Sequence, residues 1–259
     1  MNRRNFLRNL TLGSLGLAAA DSSLHAFDFG GIDVGKVVEG GTKMASGAGG
    51  VGLKQEMAIG GSVATKIVAN NNGLLKTPEA ARRIALLGKS LARYSYRPTL
   101  NFRFAIMDTD IVNGFSAPGG YVFISRGLVE AVKNDDQLAG VLAHEISHIT
   151  RRHALQIISR GQFVSGMVDV ASGSSSDFAQ FDVGIDKVTN TLMEKGFDPD
   201  IEFEADAYGA KLAYDTGFAK NGLLEFLKLL KVSKGGDHER VFSTHPPLSE
   251  RIEKLAELS

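Results

Sequence analysis

The stretch Val141-Leu142-Ala143-His144-Glu145-Ile146-Ser147-His148 carries the pattern H-E-x-x-H inside an apolar run that is compatible with a helix. His144 and His148 are one turn apart, so on a helix their imidazoles lie on the same face. That spacing suits two nitrogen ligands on one zinc ion. Glu145 lies about 100° further round the helix axis, where a carboxylate reaches a water molecule on the metal without occupying a coordination position. The stretch therefore predicts a zinc site with Glu145 as general base. The competing interpretation is a surface helix with two solvated histidines.

A catalytic zinc needs a third protein ligand and an open position for water. His153 is the nearest candidate, but on a continuous helix it lies about 900° beyond His144 and points to the opposite face. It cannot share the metal unless the helix breaks. The metzincin pattern would need Gly at position 151 and His at position 154, where this chain has Arg151 and Ala154. That class is excluded.

A better third ligand is Glu202, in the segment that follows Pro199. Proline suits the first turn of a helix, and acidic residues suit its N-terminus. Glu202 and Asp206 are again four residues apart on one face, whereas Glu204 should point elsewhere. We predict Glu202 as the ligand and Asp206 as an acceptor that orients a histidine N–H. The alternative is an acidic helix start without any role at a metal.

Three motifs in order give the chain a specific resemblance: H-E-x-x-H, then E-x-E-A-D over residues 202–206, then Thr244-His245-Pro246-Pro247 with Glu250-Arg251-Ile252. Over residues 76 to 257 the chain resembles the HtpX and CAAX-prenyl-protease family of gluzincin zinc metallopeptidases. It is more similar to the soluble periplasmic branch of the BepA and LoiP type. The resemblance implies that Glu202 is the third ligand of one Zn²⁺ per chain.

Further site residues are expected around this centre. His245 precedes a proline, which favours extended backbone; it would stabilise the oxyanion, occupy the open zinc position in a resting state, or simply cap a helix. Arg251 would brace the same loop or hold an acidic group. In the resembled family a run like Asn113 to Tyr121 leads into an edge strand beside the zinc. Gly119 and Gly120 would then admit a substrate strand, or only form a hairpin turn, and Asn113 would help polarise the scissile carbonyl.

Composition excludes several other classes of protein. The chain has 259 residues, 29 basic and 29 acidic side chains and no cysteine. The balanced charge gives no indication of nucleic-acid binding. The lack of cysteine excludes disulfides, a cysteine protease and thiolate ligation of zinc. Polypeptides are the expected partners.

The N-terminus resembles an export signal. Arg3-Arg4-Asn5-Phe6-Leu7 precedes a weakly apolar run, Leu10 to Ala20, that is too short to span a bilayer. This pattern is typical of a twin-arginine signal, with cleavage after Ala20 or Ala26. The alternative is an uncleaved amphipathic tail. We expect export to the periplasm and no integral membrane segment after signal removal.

These patterns divide the chain into an export signal (1–26), a glycine-rich lead-in (27–75) and a zinc metallopeptidase domain (76–259). Residues 27 to 61 contain eleven glycines, so we expect them to bury little surface.

Within the domain we predict a helix from near Pro78, strands over 101–106 and 120–125, the motif helix over 135–158 with Asp135 as its cap, and a last helix from about Leu248. Residues 161–197 would form a mobile loop over the site or a plain surface insertion.

The predicted fold is α+β, mostly helical, with a small sheet whose edge strand flanks the active site. The predicted function is that of a zinc endopeptidase of the cell envelope, and the resemblance implies misfolded or misassembled envelope proteins as substrates. The main alternative is a periplasmic chaperone or assembly factor that binds client strands and cleaves little. Both hypotheses use the same residues, but only the first requires turnover.

Overall fold

The computed structural model describes residues 51–160, 178–232, 245 and 248–258. All of them belong to one compact unit, which spans residues 33–259. Helices dominate the described part: α1 (Leu53–Asn70), α2 (Pro78–Tyr94), α3 (Arg126–Ala131), α4 (Asp135–Thr150), α5 (His153–Arg160), α6 (Phe178–Asn190), α7 (Pro199–Thr216), α8 (Gly222–Val232) and α9 (Leu248–Glu257). A π-helical turn, Thr191–Lys195, follows α6, and the strands are β1 (Arg103–Met107), β2 (Gly114–Ala117) and β3 (Tyr121–Ser125). The predicted α+β class, mostly helical with a small sheet, is confirmed.

The three strands form one sheet in the order β1-β3-β2. β1 pairs with β3 in parallel, and β2 pairs with β3 in antiparallel, with Phe115 opposite Phe123. The strand after Gly119-Gly120 is therefore central, and the sequence analysis was wrong to expect the edge there. The two glycines, at φ 78° and 99°, make the tight turn between β2 and β3. The edge strands are β1 and β2, and β2 lies inside the N-x-x-x-x-P-G-G run itself.

Helix α4, which carries H-E-x-x-H, is the central helix of the domain. It packs against α2, α7, α8 and β2, and every residue from Gln137 to Ile149 is buried. A glycine allows α7 to approach closely, since a Cβ on Gly209 of α7 would lie 2.9 Å from the backbone nitrogen of His144. The interpretation of a solvated surface helix is wrong, because His144 and His148 are only 1% and 2% exposed.

The motif helix is shorter than predicted. Its cap is Asn134, not Asp135, and the Asn134 side chain accepts a hydrogen bond from the backbone N–H of Gln137 at 2.9 Å. The helix ends at Thr150 because Arg152 takes a left-handed conformation (φ 60°), and α5 then starts in a new direction at His153. The Arg152 guanidinium lies 3.3 Å from Glu56 of α1, a contact with a distant segment that periodicity does not reveal.

Helix α1 begins inside the glycine-rich lead-in and is well packed. Ile59, Val63 and Ile67 form its buried apolar face. A Cβ on Gly60 would lie 1.8 Å from the carbonyl oxygen of Pro118, so this glycine allows two backbones to touch. Residues 53–61 therefore bury more than their composition predicts.

Several sequence predictions lie outside the described residues: the export signal, the lead-in before residue 51, the Gly173-Ser174-Ser175-Ser176 segment and the residues on either side of His245. The rest of the predicted insertion, residues 178–197, contains α6 and the π-helical turn. Across the ranges that the structure describes, no helix combines the length and apolar character needed to cross a bilayer.

Candidate metal centre

Four side chains from three parts of the chain converge beside α4. His144 and His148 from α4, Glu202 from α7 and His245 each offer a ligand atom, and these atoms all lie within 4.8 Å of one another. The Nε2 atoms of His144 and His148 are 3.1 Å apart. The Glu202 carboxylate lies across both, with Oε2 at 3.4 Å from His144 Nε2 and Oε1 at 3.5 Å from His148 Nε2.

These spacings fit a zinc ion. Ligands arranged tetrahedrally at about 2.0–2.1 Å from zinc lie roughly 3.3 Å from one another. The three distances between the two Nε2 atoms and the Glu202 carboxylate, 3.1, 3.4 and 3.5 Å, lie around that value. Glu202 Oε1 is buried and makes no hydrogen bond within the described structure. A buried carboxylate oxygen without a donor is costly unless a cation satisfies it, so the donor set and its geometry suit a bound metal.

The face of His144 that points away from the ligand cluster is held by acidic and basic groups. Its Nδ1 lies 2.8 Å from Asp206 Oδ1. Arg251, fully buried, binds the same carboxylate through Nε at 2.8 Å and Nη2 at 2.6 Å. An ionised carboxylate only accepts hydrogen bonds, so Nδ1 carries a proton, and Nε2 is the nitrogen that faces the cluster and presents a lone pair once it is deprotonated. Burial and the charge of Arg251 oppose protonation, yet hydrogen bonds to Asp206 and Glu202 raise the pKa of His144 to about 9.

The nitrogen of His148 that points away from the ligand cluster contacts an imidazole, whereas that of His144 contacts a carboxylate. Its Nδ1 lies 2.9 Å from Nδ1 of His153, whose Nε2 lies 3.2 Å from Glu204 Oε2. Phe197 stacks on the His148 ring at a centroid distance of 4.3 Å. Burial lowers the pKa of His148 well below its usual value, which favours the neutral imidazole that binds metal.

The break after α4 explains why His153 departs from the prediction. The sequence analysis excluded it from the site on the assumption of a continuous helix. Because the chain turns at Arg152, His153 faces the α4 histidines and not the opposite side. Glu204 was expected to point elsewhere, and it is indeed turned away from the four ligand atoms, but it contacts His153.

The side chain of Glu145, a residue of α4, lies against the edge strand β2. A Cβ on Gly114 of β2 would lie 2.7 Å from Glu145 Oε1, so any other residue there would displace the carboxylate from its position. That oxygen is buried and has no hydrogen-bond partner among the described residues. Burial raises the pKa of Glu145, and the imidazoles of His144 and His245 oppose the rise, as does, more weakly, a hydrogen bond from Ser116 of β2. A carboxylate with a raised pKa is a better proton acceptor near neutral pH.

His245 contacts the third predicted ligand. Its Nδ1 lies 2.6 Å from Glu202 Oε2, and its ring centroid lies 5.3 Å from that of His144. Although burial opposes ionisation of Glu202, the imidazoles of His245 and His148 hold the pKa of this carboxyl well below its usual range. Glu202 is therefore a carboxylate at neutral pH, as a metal ligand must be.

The remaining predicted residues lie in and around the edge strand. Asn113 precedes β2, and its side-chain oxygen accepts a hydrogen bond from the backbone N–H of Gly114 at 3.0 Å. Gly119 and Gly120 approach the backbone of this chain closely: a Cβ would lie 3.0 Å from Met57 Cα at Gly119 and 2.5 Å from the Asn101 carbonyl oxygen at Gly120. Their conformation is the one that the hairpin-turn alternative requires.

Three residues at the site escaped the sequence analysis, namely Gly114, Ser116 and Phe197, and a fourth, His153, was considered there and set aside. His153 was visible as a third histidine five residues after His148, but its role depends on the helix break. The other three act through tertiary contacts and leave no local pattern.

Comparison with known proteins agrees with this geometry. The model of "Peptidase family M48" matches residues 78–259. The Metalloprotease YcaL of Escherichia coli (strain K12) is 24% identical over 199 residues, which cover 76% of this chain and 77% of that protein. The beta-barrel assembly-enhancing protease of Yersinia pestis is 29% identical over 203 residues, which cover 76% of this chain and 40% of that protein. Its Escherichia coli (strain K12) counterpart is 27% identical over 252 residues, with coverages of 94% and 49%. The chain thus spans less than half the length of these two assembly-enhancing proteases.

Proposed function

This chain belongs to peptidase family M48, and from that premise we propose that it is a zinc-dependent endopeptidase of the cell envelope that acts on misfolded or misassembled proteins. The observation that carries the chemistry is the convergence of His144, His148 and Glu202, with spacings of 3.1 to 3.5 Å, beside a buried Glu145. His144, His148 and Glu202 would hold the metal. When bound, zinc supplies a Lewis acid that acidifies water and polarises the scissile carbonyl.

Glu145 supplies the proton chemistry. Its Oε1, which has no hydrogen-bond partner among the residues that the structure describes, accepts a proton from the attacking water. The same carboxyl then delivers that proton to the amine nitrogen that leaves. Burial favours both steps, because it brings the pKa of the carboxyl closer to neutral pH. His245 stabilises the negative charge that develops on the carbonyl oxygen. Its contact with Glu202 supports this role, since it fixes the imidazole beside the ligand cluster.

Substrate binding is proposed at the edge strand. β2 pairs with β3 on one side, and its first residue, Gly114, touches Glu145. An extended peptide added along β2 would bring its backbone to the catalytic carboxylate. Asn113, at the start of this strand, would orient the scissile carbonyl, and Gly119 and Gly120 would shape the turn at its far end.

The cellular role is proposed from the relatives and the N-terminal sequence. The names of two relatives speak of proteolysis and of β-barrel assembly. We propose export to the periplasm by the twin-arginine route, directed by Arg3-Arg4 and the apolar run behind it. Replacing both arginines with lysine should retain the protein in the cytoplasm, as measured by cell fractionation; normal periplasmic yield would overturn the export route alone.

A second function has support in the same names, because they speak of enhanced β-barrel assembly as well as of a protease. On that alternative the chain acts mainly as an assembly factor that binds client strands and cleaves little. Complementation of a deletion strain separates the two functions. A Glu145→Gln gene that restores growth and envelope integrity as well as the wild type would favour the assembly factor.

The proposed chemistry is tested with purified protein. We expect one zinc per chain by elemental analysis, and cleavage of casein that a chelator abolishes and added zinc restores. Glu202→Gln should lose most of its zinc, whereas Asp200→Asn, an exposed neighbour on the same helix, should keep it. Full occupancy in Glu202→Gln would assign the third ligand to another residue.

An unfolded β-barrel protein should be cleaved faster than the same protein folded, and equal rates would contradict the proposed substrate class.

A further inference from the structure

We propose that His153 and Glu204 form a positioning relay that fixes His148 in the tautomer and orientation that bind the metal. The relay runs from Glu204 Oε2 to His153 Nε2 at 3.2 Å, and from His153 Nδ1 to His148 Nδ1 at 2.9 Å. It ends at His148 Nε2, which faces Glu202 and His144. This inference rests on the proposed metal site, but not on the proteolytic reaction.

The chemistry of the three groups assigns each proton. The Glu204 carboxylate only accepts hydrogen bonds, so the N–H of His153 that faces it must lie on Nε2. His153 Nδ1 is then a lone pair, and it accepts a hydrogen bond from His148 Nδ1–H. That leaves a lone pair on His148 Nε2, the atom that faces the metal position. A single carboxylate thus sets the tautomers of two consecutive imidazoles.

The surroundings hold the His153 ring in place. The ring is completely buried, with Glu204 at its Nε2 and His148 at its Nδ1. A neutral His153 accepts from His148, whereas a doubly protonated ring would have no acceptor to offer. Phe197 lies on the other side, with centroid distances of 4.3 Å to His148 and 5.9 Å to His153, and so holds both rings in place.

Glu204 is itself anchored. The Arg151 guanidinium pairs with Glu204 Oε1, and it also lies over the ring of Tyr208 at 4.7 Å from the centroid. Arg151 belongs to the break between α4 and α5. The same local distortion therefore turns His153 towards the metal ligands and supplies the cation that holds the end of the relay.

The Nδ1 atoms of the two proposed ligand histidines are thus held by different groups. His144 Nδ1 contacts a carboxylate directly, at 2.8 Å from Asp206. His148 Nδ1 reaches its carboxylate only through a second imidazole. Hydrogen bonds of this kind raise the metal affinity of the ligand because they remove the rotational and tautomeric freedom that binding would otherwise have to restrict.

A pair of substitutions at His153 tests the relay. In His153→Asn, the amide lies at the reach of Nδ1 and keeps a partner for His148. In His153→Gln, the amide lies at the reach of Nε2 and keeps a partner for Glu204 instead. Both variants remove the ring, so their losses of packing are matched. His153→Ala removes both partners.

Zinc affinity, measured by competition with a chelator, is the main readout. We expect His153→Ala and His153→Gln to bind zinc about 10- to 100-fold more weakly than the wild type, and His153→Asn to bind it within about threefold of the wild type. The ¹⁵N spectrum of metal-free, histidine-labelled protein gives a second readout. It should show the Nδ1–H tautomer of His148 in the wild type and in His153→Asn, and a mixture of tautomers in His153→Gln.

The outcomes separate this inference from the proposed function. Equal zinc affinities for the Asn and Gln variants, or wild-type affinity in His153→Ala, would overturn the relay while leaving the peptidase intact. If His153→Ala does not fold, the Asn and Gln pair still decides. A wild-type protein that binds zinc but cleaves no polypeptide would overturn the proposed function and leave the relay standing. A wild-type protein that binds no zinc would overturn both.

Discussion

Arg251 binds both oxygens of Asp206, with Nε and Nη2 at 2.8 and 2.6 Å, and neither side chain is more than 2% exposed. The pair joins α9 to α7 directly behind His144, whose Nδ1 lies 2.8 Å from the same carboxylate. Two charges buried together stabilise the fold only while both are present, because either one alone would keep its full cost of desolvation. Helix α9 is therefore tied to the candidate metal centre through Arg251, whose Nη1 also lies 3.9 Å from Glu202 Oε2.

Replacing Arg251 with Met should lower the free energy of unfolding by about 3–5 kcal/mol, because it leaves the Asp206 carboxylate buried without its arginine partner, although the His144 imidazole stays beside it. Denaturant unfolding of the metal-free protein measures the loss. Arg83→Met is the matched control: its ion pair with Asp135 is about half exposed and should contribute less than about 1 kcal/mol. Equal losses in the two variants would contradict the role assigned to the buried pair.

Glu56 should hold α1 to the catalytic domain. Its buried carboxylate pairs with Arg97 at 2.6 Å and Arg152 at 3.3 Å, and it accepts a hydrogen bond from the backbone N–H of Gly119 at 3.2 Å. Glu56→Gln keeps the shape but removes the charge, and we expect a loss of about 2–3 kcal/mol in unfolding free energy. The control is Asp186→Asn, which breaks the exposed ion pair between Asp186 of α6 and Lys66 of α1. It should cost less than about 1 kcal/mol. The prediction fails if thermal denaturation ranks the two variants in the opposite order.

Zinc affinity should depend on pH through His144. Burial and Arg251 oppose its protonation, but hydrogen bonds to Asp206 and Glu202 raise its pKa to about 9 in the metal-free protein. The proton and the metal compete for the same Nε2 lone pair, so the proton must leave before zinc binds. Affinity should therefore rise about tenfold per pH unit as pH approaches 9 from below, and level off above that value.

Chelator competition between about pH 7 and 9 measures this dependence. Asp206→Asn removes one of the groups that support the imidazolium, so its affinity should level off at a lower pH. An affinity that is constant over this range in the wild type would show that His144 titrates near its ordinary pKa.

His245→Ala should reduce turnover by about 10²-fold while the protein keeps its zinc, because an oxyanion donor acts on the transition state and not on the metal. Steady-state cleavage of a peptide, together with elemental analysis, checks both parts. The contact between His245 Nδ1 and Glu202 Oε2 at 2.6 Å is lost in this variant, so zinc content is the necessary control. A rise in basal cleavage would instead indicate that His245 occupies the open coordination position in a resting state.

The sequence predicted those parts of the fold that depend on local periodicity. The helix from Pro78, the two strands flanking residues 108–120 and the last helix from Leu248 all form within a few residues of their predicted bounds. The resemblance to gluzincin metallopeptidases, based on three ordered motifs, is confirmed by the family match over residues 78–259. Spacing also placed Glu202 and Asp206 on one face of α7, and the structure brings both towards His144.

The errors arose where a distant contact overrides the local pattern. The apolar periodicity of α4 continues past residue 150, but Arg152 leaves it to pair with Glu56, which precedes the whole sheet in the chain. Glycine composition suggested a loosely packed lead-in, whereas Gly60 serves a close approach to Pro118. The edge strand was misplaced because β3, and not β2, pairs with β1 in parallel, and strand order is a tertiary property.

The central claim is that Glu145 serves as the general base of a zinc endopeptidase, and one comparison tests it most directly. Purified wild type and Glu145→Gln are assayed side by side for zinc content and for cleavage of casein. Glutamine keeps the size of the side chain but cannot accept the proton, so we predict one zinc per chain in both proteins and cleavage at least about 10²-fold slower in the variant. Cleavage by Glu145→Gln at the wild-type rate, with zinc bound, would contradict the claim.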